Sequence, residues 1–261
     1  MTYMGASGRT AYMSGGIDLM AAMKAGSSFD DVIRLRSVQD WTSIVESEDS
    51  IVLGAGVTHQ LLADSPVIRK TYPTLCAAWS ELANNRVRTK GTLGGNLMAR
   101  NSAYDFPIAA IAAGAEVRFV DPNLKVVQLP IDQLADVPAQ ALLTNIVLPR
   151  RECMAFAAQF RWKPLIAFAV SFRREAGEVM GRLAVGCGFA SPVCSTVRLD
   201  HGLFDRLARE TPLDIADRFC SLLPRPASDW NASADYRIEL LRVLLAREIG
   251  RVRSAGPRHE N

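Results

Sequence analysis

The sequence predicts an α+β protein, in which a longer N-terminal part of short strands and helices precedes a smaller C-terminal domain of antiparallel sheet and helices. Three segments carry this prediction. AEVRFVDPNLKVVQLPI alternates between apolar and polar residues on both sides of a DPN turn, as a β-hairpin does. LIAFAVSFRREAGEVMGRLAVGCGFA contains two long apolar strands around an EAGE turn. SADYRIELLRVLLAREIGRV has apolar residues at helical spacing, which predicts a closing amphipathic helix.

The N-terminal elements follow in order. AYMSGG predicts a short strand entering a glycine turn, and IDLMAAMKAG a helix with Asp18 in its first turn and Gly26 at its end. SIVLGAGVT predicts a strand, THQLLAD a helix capped by Thr58, and YPTLCAAWSELA a third helical stretch. ALLTNIVLP predicts a strand that Pro149 stops. A shift in composition at Arg150 predicts domains at 1–150 and 151–261, with a subdivision of the first near residue 50.

Composition narrows the class of function. Of 261 residues, 49% are hydrophobic and 22% charged, and the net charge of +3 is too small to favour nucleic acid. We interpret RVRTK as a solvated strand or loop edge, with a phosphate-attracting edge as the alternative. The chain start lacks a signal sequence and no segment is long and apolar enough for a membrane span, so we expect a cytoplasmic protein. Five cysteines without a CxxC spacing predict no metal or iron–sulfur site in this chain.

Two glycine pairs, Gly15-Gly16 and Gly94-Gly95, are the main chemical signal. Each follows a β-type segment and is followed by a polar residue, Asp18 or Asn96. One such pair alone usually marks a turn or close packing. Two pairs in similar surroundings favour anion binding, because bare backbones let consecutive amides converge on a diphosphate from two sides. GAGVTH lacks the last glycine of a dinucleotide fingerprint and is read as a strand-to-helix turn, and no P-loop occurs.

These motifs resemble those of a known family. VRTKGTLGGNLMARNSAYDFPIAAIAAGAEVRFV, SGGIDLMAAMK and IVLGAGVTHQLLADSPVIRKTYPTLCAAW are similar to segments of the FAD-binding subunit of molybdenum hydroxylases, the xanthine dehydrogenase and aerobic carbon monoxide dehydrogenase family. The C-terminal helix is similar as well, so the resemblance covers roughly residues 12–250. It implies a two-part FAD-binding domain of the vanillyl-alcohol-oxidase-like (PCMH) type, followed by a flavoprotein C-terminal domain.

The resemblance also implies a set of cofactor-binding residues and no catalytic residue in this chain. The pyrophosphate would be held by two loops, Ser14, Gly15, Gly16, Ile17, Asp18 and Leu19 in the first and Thr92, Leu93, Gly94, Gly95 and Asn96 in the second. Asp105 matches a cofactor contact. Leu82 and Leu143 match positions that line the flavin ring, with plain core as an equal alternative. Gln159 stands where the family often has a lysine near the flavin, and Lys163 is the alternative match.

The chain departs from the family pattern at several points. Ile17 stands where a Thr or His is common, so a side-chain hydrogen bond near the phosphates is lost. FRWKPLIAF is shorter than the family's loop over the flavin. Only thirteen residues precede SGG, so we expect a truncated N-terminus whose first strand and helix are missing or supplied by a partner.

The implied function is electron transfer. FAD would be bound in this chain, whereas molybdopterin and [2Fe-2S] clusters would be bound in a large and a small partner subunit, in a dimer of heterotrimers. Electrons would pass from the clusters to FAD and then to an external acceptor. Two alternatives stay open: a flavin-free structural subunit of such a complex, and a stand-alone NAD(P)H-dependent flavoprotein.

Overall fold

The computed structural model describes residues 9–73, 76, 79, 84–138, 141–150, 153–160, 163–199 and 210–256. By its internal contacts the chain divides into two compact units, Met1–Asn101 with Ala115–Pro149 and Ser102–Gly114 with Arg150–Asn261. The short segment Ser102–Gly114 therefore clusters with the second unit. The predicted domain limits at 1–150 and 151–261 stay a prediction. None of the described helices is long and apolar enough to cross a membrane.

The first unit begins with a parallel pair of strands joined by a helix. Their bounds are β1 Thr10–Met13, α1 Ile17–Lys24 and β2 Asp31–Arg34. Strand β1 and helix α1 confirm the predicted strand, glycine turn and helix, with Asp18 in the first turn. Strand β2 was not predicted, because its four residues are all exposed and show no apolar alternation.

A five-stranded antiparallel sheet forms the body of the first unit. Its strands are β3 Ile44–Glu46, β4 Ser50–Gly54, β5 Glu116–Val120, β6 Val126–Pro130 and β7 Leu142–Pro149, in the order β3-β4-β7-β5-β6. The predicted hairpin is β5–β6. In its turn the Asp121 carboxylate accepts the backbone N–H groups of Asn123 and Lys125, both at 2.8 Å, which fixes the register of the pair.

Short helices connect β4 to β5. They are α2 His59–Asp64, α3 Pro66–Thr71, α4 Asn85–Lys90 and α5 Leu93–Met98, and a 3-10 helix covers Ile131–Asp136 after β6. Thr58 caps α2 as predicted, accepting the N–H of Leu61 at 3.2 Å. Most of YPTLCAAWSELA lies outside the described residues, and its described residues 73, 76 and 79 are helical.

Helix α4 corrects the interpretation of RVRTK as a strand or loop edge. Asn84 caps this helix by accepting the N–H of Val87 at 3.0 Å. Arg and Lys are good helix formers, so the cap and the side chains favour a helical turn. The basic residues are mostly exposed, as expected of a solvated segment.

In its described residues, the second unit has a four-stranded antiparallel sheet and three helices. Its elements are α6 Asp105–Ala112, β8 Cys153–Gln159, β9 Ala167–Glu175, β10 Glu178–Gly186, β11 Val193–Leu199, α7 Pro212–Ser221 and α8 Ala234–Ala255, with the sheet order β11-β10-β9-β8. The predicted pair around EAGE is β9–β10. Strands β8 and β11 were missed, although TVRL at the end of β11 alternates polar and apolar residues and the last five side chains of β11 alternate between buried and exposed.

Helices α7 and α8 pack on this sheet and close its core. Leu241, Leu245 and Ile249 on α8 are buried, which confirms the predicted core stripe, whereas Ile238 is half-buried. The edge of the Phe219 ring on α7 packs against Phe172 on β9, with the centroids 6.4 Å apart. The apolar side chains of β9 and β10 therefore have a helical cover.

The last turn of α6 is held by side chains from β9 and β10. The carbonyl oxygens of residues 111, 112 and 113 accept hydrogen bonds from Arg182 Nε at 2.8 Å, Ser171 Oγ at 2.6 Å and Arg173 Nη2 at 2.5 Å, respectively. The final carbonyls of a helix lack intrahelical donors, and its C-terminal end favours positive charge. These three side chains, which we call the α6 clamp, therefore satisfy groups that burial would otherwise penalise.

Removing one hydroxyl from the α6 clamp is expected to destabilise the chain. In Ser171→Ala the buried carbonyl of Ala112 loses its donor, which should lower the free energy of unfolding by about 1–2 kcal/mol. Ser254→Ala is the matched control, since its exposed hydroxyl also donates to a helix carbonyl and its loss should cost less than about 0.5 kcal/mol. Urea unfolding followed by circular dichroism measures both. Equal midpoints for the two variants would contradict a stabilising clamp.

Candidate functional site

The first glycine motif, Ser14–Leu19, forms the junction of β1 and α1. Gly16 precedes the helix with φ 78°, a left-handed conformation that glycine adopts without strain, and no side chain caps this end. The amides of Ile17 and Leu19 donate to no acceptor in the described part of the chain. The eight-residue helix thus presents N–H donors and the positive end of its dipole beside the glycines.

The second motif is the start of a helix, which corrects the expectation of an open loop. Thr92 caps α5, and its hydroxyl accepts the N–H of Gly95 at 3.2 Å. The amides of Leu93 and Gly94 donate to the carbonyls of Val57 and Ala55 at 2.9 and 2.8 Å. Two adjacent glycines have low helix propensity, so local sequence favoured a loop, whereas the threonine cap and contacts with the turn after β4 stabilise the helix.

Gly94 and Gly95 differ in their surroundings. A Cβ built on Gly94 would lie 2.7 Å from the Ala55 Cβ and 2.8 Å from its carbonyl oxygen, so close packing requires glycine there. Outside its own helix backbone, a Cβ on Gly95 would meet the Thr92 hydroxyl at 2.9 Å and no other atom of the described residues within 4 Å. Gly94 is therefore explained by packing, and Gly95 leaves open space that a ligand can enter.

The structure brings the two motifs together. A Cβ built on Gly15 would overlap the carbonyl oxygen of Lys90 and lie 3.3 Å from the Cα of Gly91, directly before Thr92. The two backbones are in contact only because residue 15 has no side chain. Lys90 is exposed and carries a positive charge at this junction. The residues that lead into the second glycine motif thus lie against Gly15 of the first, as a single diphosphate held by both motifs would require.

Asn96 follows Gly95 in α5. Its side-chain oxygen is buried and has no hydrogen-bond donor within the described residues. A buried acceptor without a donor costs free energy of about 1–3 kcal/mol, so a ligand hydroxyl at this atom would be favourable. The arrangement fits a ligand that has both phosphate oxygens and hydroxyl groups.

His59 is a buried histidine beside the second glycine motif that was not predicted from the sequence, where it stands only at the position of a missing fingerprint glycine. It is 2% exposed, and its Nδ1 accepts the indole N–H of Trp79 at 3.0 Å. Its backbone N–H donates to the carbonyl of Gly91 at 3.1 Å, and its ring lies beside Gly91. Burial lowers the pKa of His59 from 6.5 to about 4, so the ring is neutral near pH 7.

In the second unit, Asp105 and Lys163 form an ion pair at the start of α6. Burial raises the pKa of the Asp105 carboxyl, while the charge of Lys163 and its hydrogen bond act in the opposite direction. Of the two residues matched to the family's lysine, Lys163 is thus the one that contacts Asp105. The Gln159 side chain instead donates to Glu248 on α8 at 3.0 Å.

Of the two leucines predicted to line the flavin ring, the structure describes Leu143. Leu143 lies in β7 opposite Phe119 and is 2% exposed, which fits the core alternative. Leu82 lies outside the described residues. The roles of all the predicted site residues in cofactor binding stay predictions. No three His, Cys, Asp or Glu side chains within the described ranges come together as metal ligands.

Comparison with known proteins identifies the family. Residues 1–151 match the family described as FAD binding domain in molybdopterin dehydrogenase. The chain belongs to this family. Over 238 residues this FAD-binding chain is 31% identical to the nicotine 6-hydroxylase medium subunit of Paenarthrobacter nicotinovorans, covering 84% of the chain and 80% of the relative. It is 23% identical to the carbon monoxide dehydrogenase medium chain of Hydrogenophaga pseudoflava, covering 91% and 87%.

A solved structure supports the fold of the FAD-binding chain. Quinoline 2-oxidoreductase from Pseudomonas putida 86 superposes with a TM-score of 0.79 at 21% identity, covering 94% of this chain and 90% of that one. The family, the α+β fold class, FAD as the cofactor of this chain and the assignment to an oxidoreductase are thereby confirmed.

Proposed function

We propose that this chain is the FAD-binding electron-transfer subunit of a molybdenum hydroxylase complex. It takes electrons from the [2Fe-2S] clusters of a partner subunit and passes them to an external acceptor. The observation that carries the proposal is the contact of the two glycine motifs at Gly15 and Lys90. This contact places the first motif against the residues that lead into the second motif, as a diphosphate held by both motifs needs.

Each of the two motifs has a role in the proposal. The amides of Ile17 and Leu19 donate to pyrophosphate oxygens at the positive end of α1. The open space at Gly95 admits the phosphates, and the side-chain oxygen of Asn96 accepts from a hydroxyl of the cofactor. FAD, when bound, supplies the redox chemistry. The chain's own residues bind and orient it.

The substitution at position 17 affects affinity more than the existence of the site. Ile17 cannot offer the hydroxyl or imidazole that is common there, and one hydrogen bond to a charged group is worth roughly 1.5–3 kcal/mol. Its backbone N–H is unchanged, and the geometry of α1 still directs it outward from the helix start. FAD binding is therefore weakened at this position and retained elsewhere.

The proposed partners are a small [2Fe-2S] subunit and a large molybdopterin subunit, in a dimer of heterotrimers. The names of two relatives, medium subunit and medium chain, support an assembly with chains of other sizes. Asp105, Lys163 and Gln159 stay predicted flavin-related positions. The cytoplasmic location stays a prediction.

Flavin analysis tests the proposal directly. The full chain, purified together with the subunits that accompany it, is expected to release close to one FAD per chain on denaturation, measured by liquid chromatography. Its yellow absorbance should bleach on reduction. A complex without flavin would contradict the proposal and favour a structural subunit. Rapid reduction of the isolated chain by NADH would instead favour the stand-alone flavoprotein.

A further inference from the structure

Trp41 connects the two glycine motifs through a single side chain. It lies on the turn between β2 and β3 and is buried, with 6% of its surface exposed. Its indole N–H donates to the hydroxyl oxygen of Ser14, the first residue of the first motif, at 3.2 Å. Tryptophan has one polar hydrogen, so this bond fixes the direction of the ring relative to Ser14.

The same ring packs on the turn after β4. A Cβ built on Gly56 would overlap the Trp41 indole, so this glycine leaves the room that the ring occupies. The Gly56 N–H also donates to the Trp41 carbonyl at 2.7 Å. The GAG sequence at this turn, which resembles a weak dinucleotide fingerprint, is thus explained by contact with tryptophan.

This turn also holds the second glycine motif. The carbonyls on either side of Gly56, those of Ala55 and Val57, accept the amides of Gly94 and Leu93 at 2.8 and 2.9 Å. Trp41 therefore contacts the first motif through its N–H, and through its ring it contacts the turn after β4 that binds the second motif. Any movement of the indole changes the placement of one motif relative to the other.

The bond from Trp41 also determines what the Ser14 hydroxyl can do. A hydroxyl has one hydrogen to donate and accepts through its oxygen. The indole N–H occupies one acceptor position, and the hydrogen of Ser14 has no acceptor in the described part of the chain. The hydroxyl is thus left to donate to a ligand, and an anionic phosphate oxygen is the strongest acceptor for it.

We propose that Trp41 is a positioning residue for the pyrophosphate of FAD: it sets the spacing of the two glycine motifs and directs the Ser14 hydroxyl to a phosphate oxygen. The inference rests on the proposed function. Because Trp41 acts through Ser14 and the phosphates, its loss should affect ligands that contain a diphosphate. The affinity for riboflavin, which has the flavin ring and no phosphate, should not change when Trp41 is replaced.

A double-mutant cycle on the full chain, stripped of flavin, tests this. Trp41→Phe keeps an aromatic ring on Gly56 and removes the N–H, and Ser14→Ala removes the hydroxyl. Each single variant should weaken FAD and ADP binding about tenfold, because Ser14→Ala removes the hydrogen bond to the charged phosphate and Trp41→Phe leaves the hydroxyl that makes it undirected. The double variant should be no weaker than Ser14→Ala. Riboflavin affinity should equal that of the wild-type chain in all three.

Several outcomes would overturn the role of Trp41. These are additive losses in the double variant, unchanged FAD affinity in Trp41→Phe, or an equal loss for riboflavin and FAD. If Trp41→Phe fails to fold, the indole N–H resonance of the wild-type chain gives the answer. It should shift when inorganic pyrophosphate is added and should not shift in Ser14→Ala. A wild-type chain that binds no FAD would overturn the proposed function instead, so the two failures are distinguishable.

Discussion

A Gly95→Asp variant is expected to lose at least a hundredfold in FAD affinity while staying folded. The new carboxylate would occupy the open space beside Gly95 and repel the phosphates at a distance of a few ångströms, where like charges interact strongly. The capping hydroxyl of Thr92, which would lie 2.9 Å from the new Cβ, must shift slightly, and the rest of the helix should tolerate the change. Residue 95 is the third residue of α5 after the Thr92 cap, a position where an acidic side chain favours the helix start.

The measurement is the amount of flavin retained per chain after gel filtration, followed by titration with FAD. Circular dichroism melting shows whether the fold is kept. Gly250→Asp is the matched control, since it makes the same change on a helix, where the nearest atom to a new Cβ lies 3.9 Å away on Pro212. This control should bind FAD normally. Wild-type FAD affinity in Gly95→Asp would place the pyrophosphate elsewhere.

Stability is expected to fall by about 2–3 kcal/mol between pH 7.5 and pH 4.5 on account of His59 alone. Its pKa of about 4 in the folded chain lies below the ordinary value of 6.5, so the unfolded chain binds the proton more readily in this range. The contribution of the neutral ring is complete above pH 6.5 and is lost as the pH falls towards 4. Protonation would also remove the acceptor for the Trp79 N–H.

A pH series of urea unfolding curves separates the contribution of His59 to the pH dependence of stability from that of the carboxylates. His59→Asn keeps an acceptor near the position of Nδ1 and does not titrate in this range. The stability difference between wild type and His59→Asn should decrease by about 2–3 kcal/mol from pH 7.5 to pH 4.5. A difference that is constant with pH would mean that His59 keeps an ordinary pKa.

Local sequence patterns were sufficient for part of the fold. The hairpin β5–β6, the pair β9–β10 and the core face of α8 follow from alternation, turn residues and helical spacing. Helix α5 could not be predicted from local patterns, because the hydrogen bonds that stabilise Leu93 and Gly94 come from Ala55 and Val57 on another segment. Helix propensity alone contains no information about such contacts.

Local sequence patterns are also insufficient to distinguish the roles of the glycines within the site. In sequence Gly94 and Gly95 are equivalent, and both were assigned to phosphate binding. In the structure one packs against Ala55 and the other borders open space. Trp41 and His59 were missed for a related reason, since their bonds to Ser14 and Trp79 join residues that are distant in sequence. Only the three-dimensional arrangement distinguishes their roles.

The α6 clamp has a consequence for dividing this chain into fragments. The family match ends at residue 151, which suggests expressing the flavin-binding part as a piece that stops there. Such a piece would contain α6, whose residues from Phe106 to Ala112 are all buried, and would lack the strands β9 and β10 that hold its last turn. An uncovered apolar helix promotes aggregation. Only fragments that keep α6 together with its strands are suitable for biochemistry on separate parts.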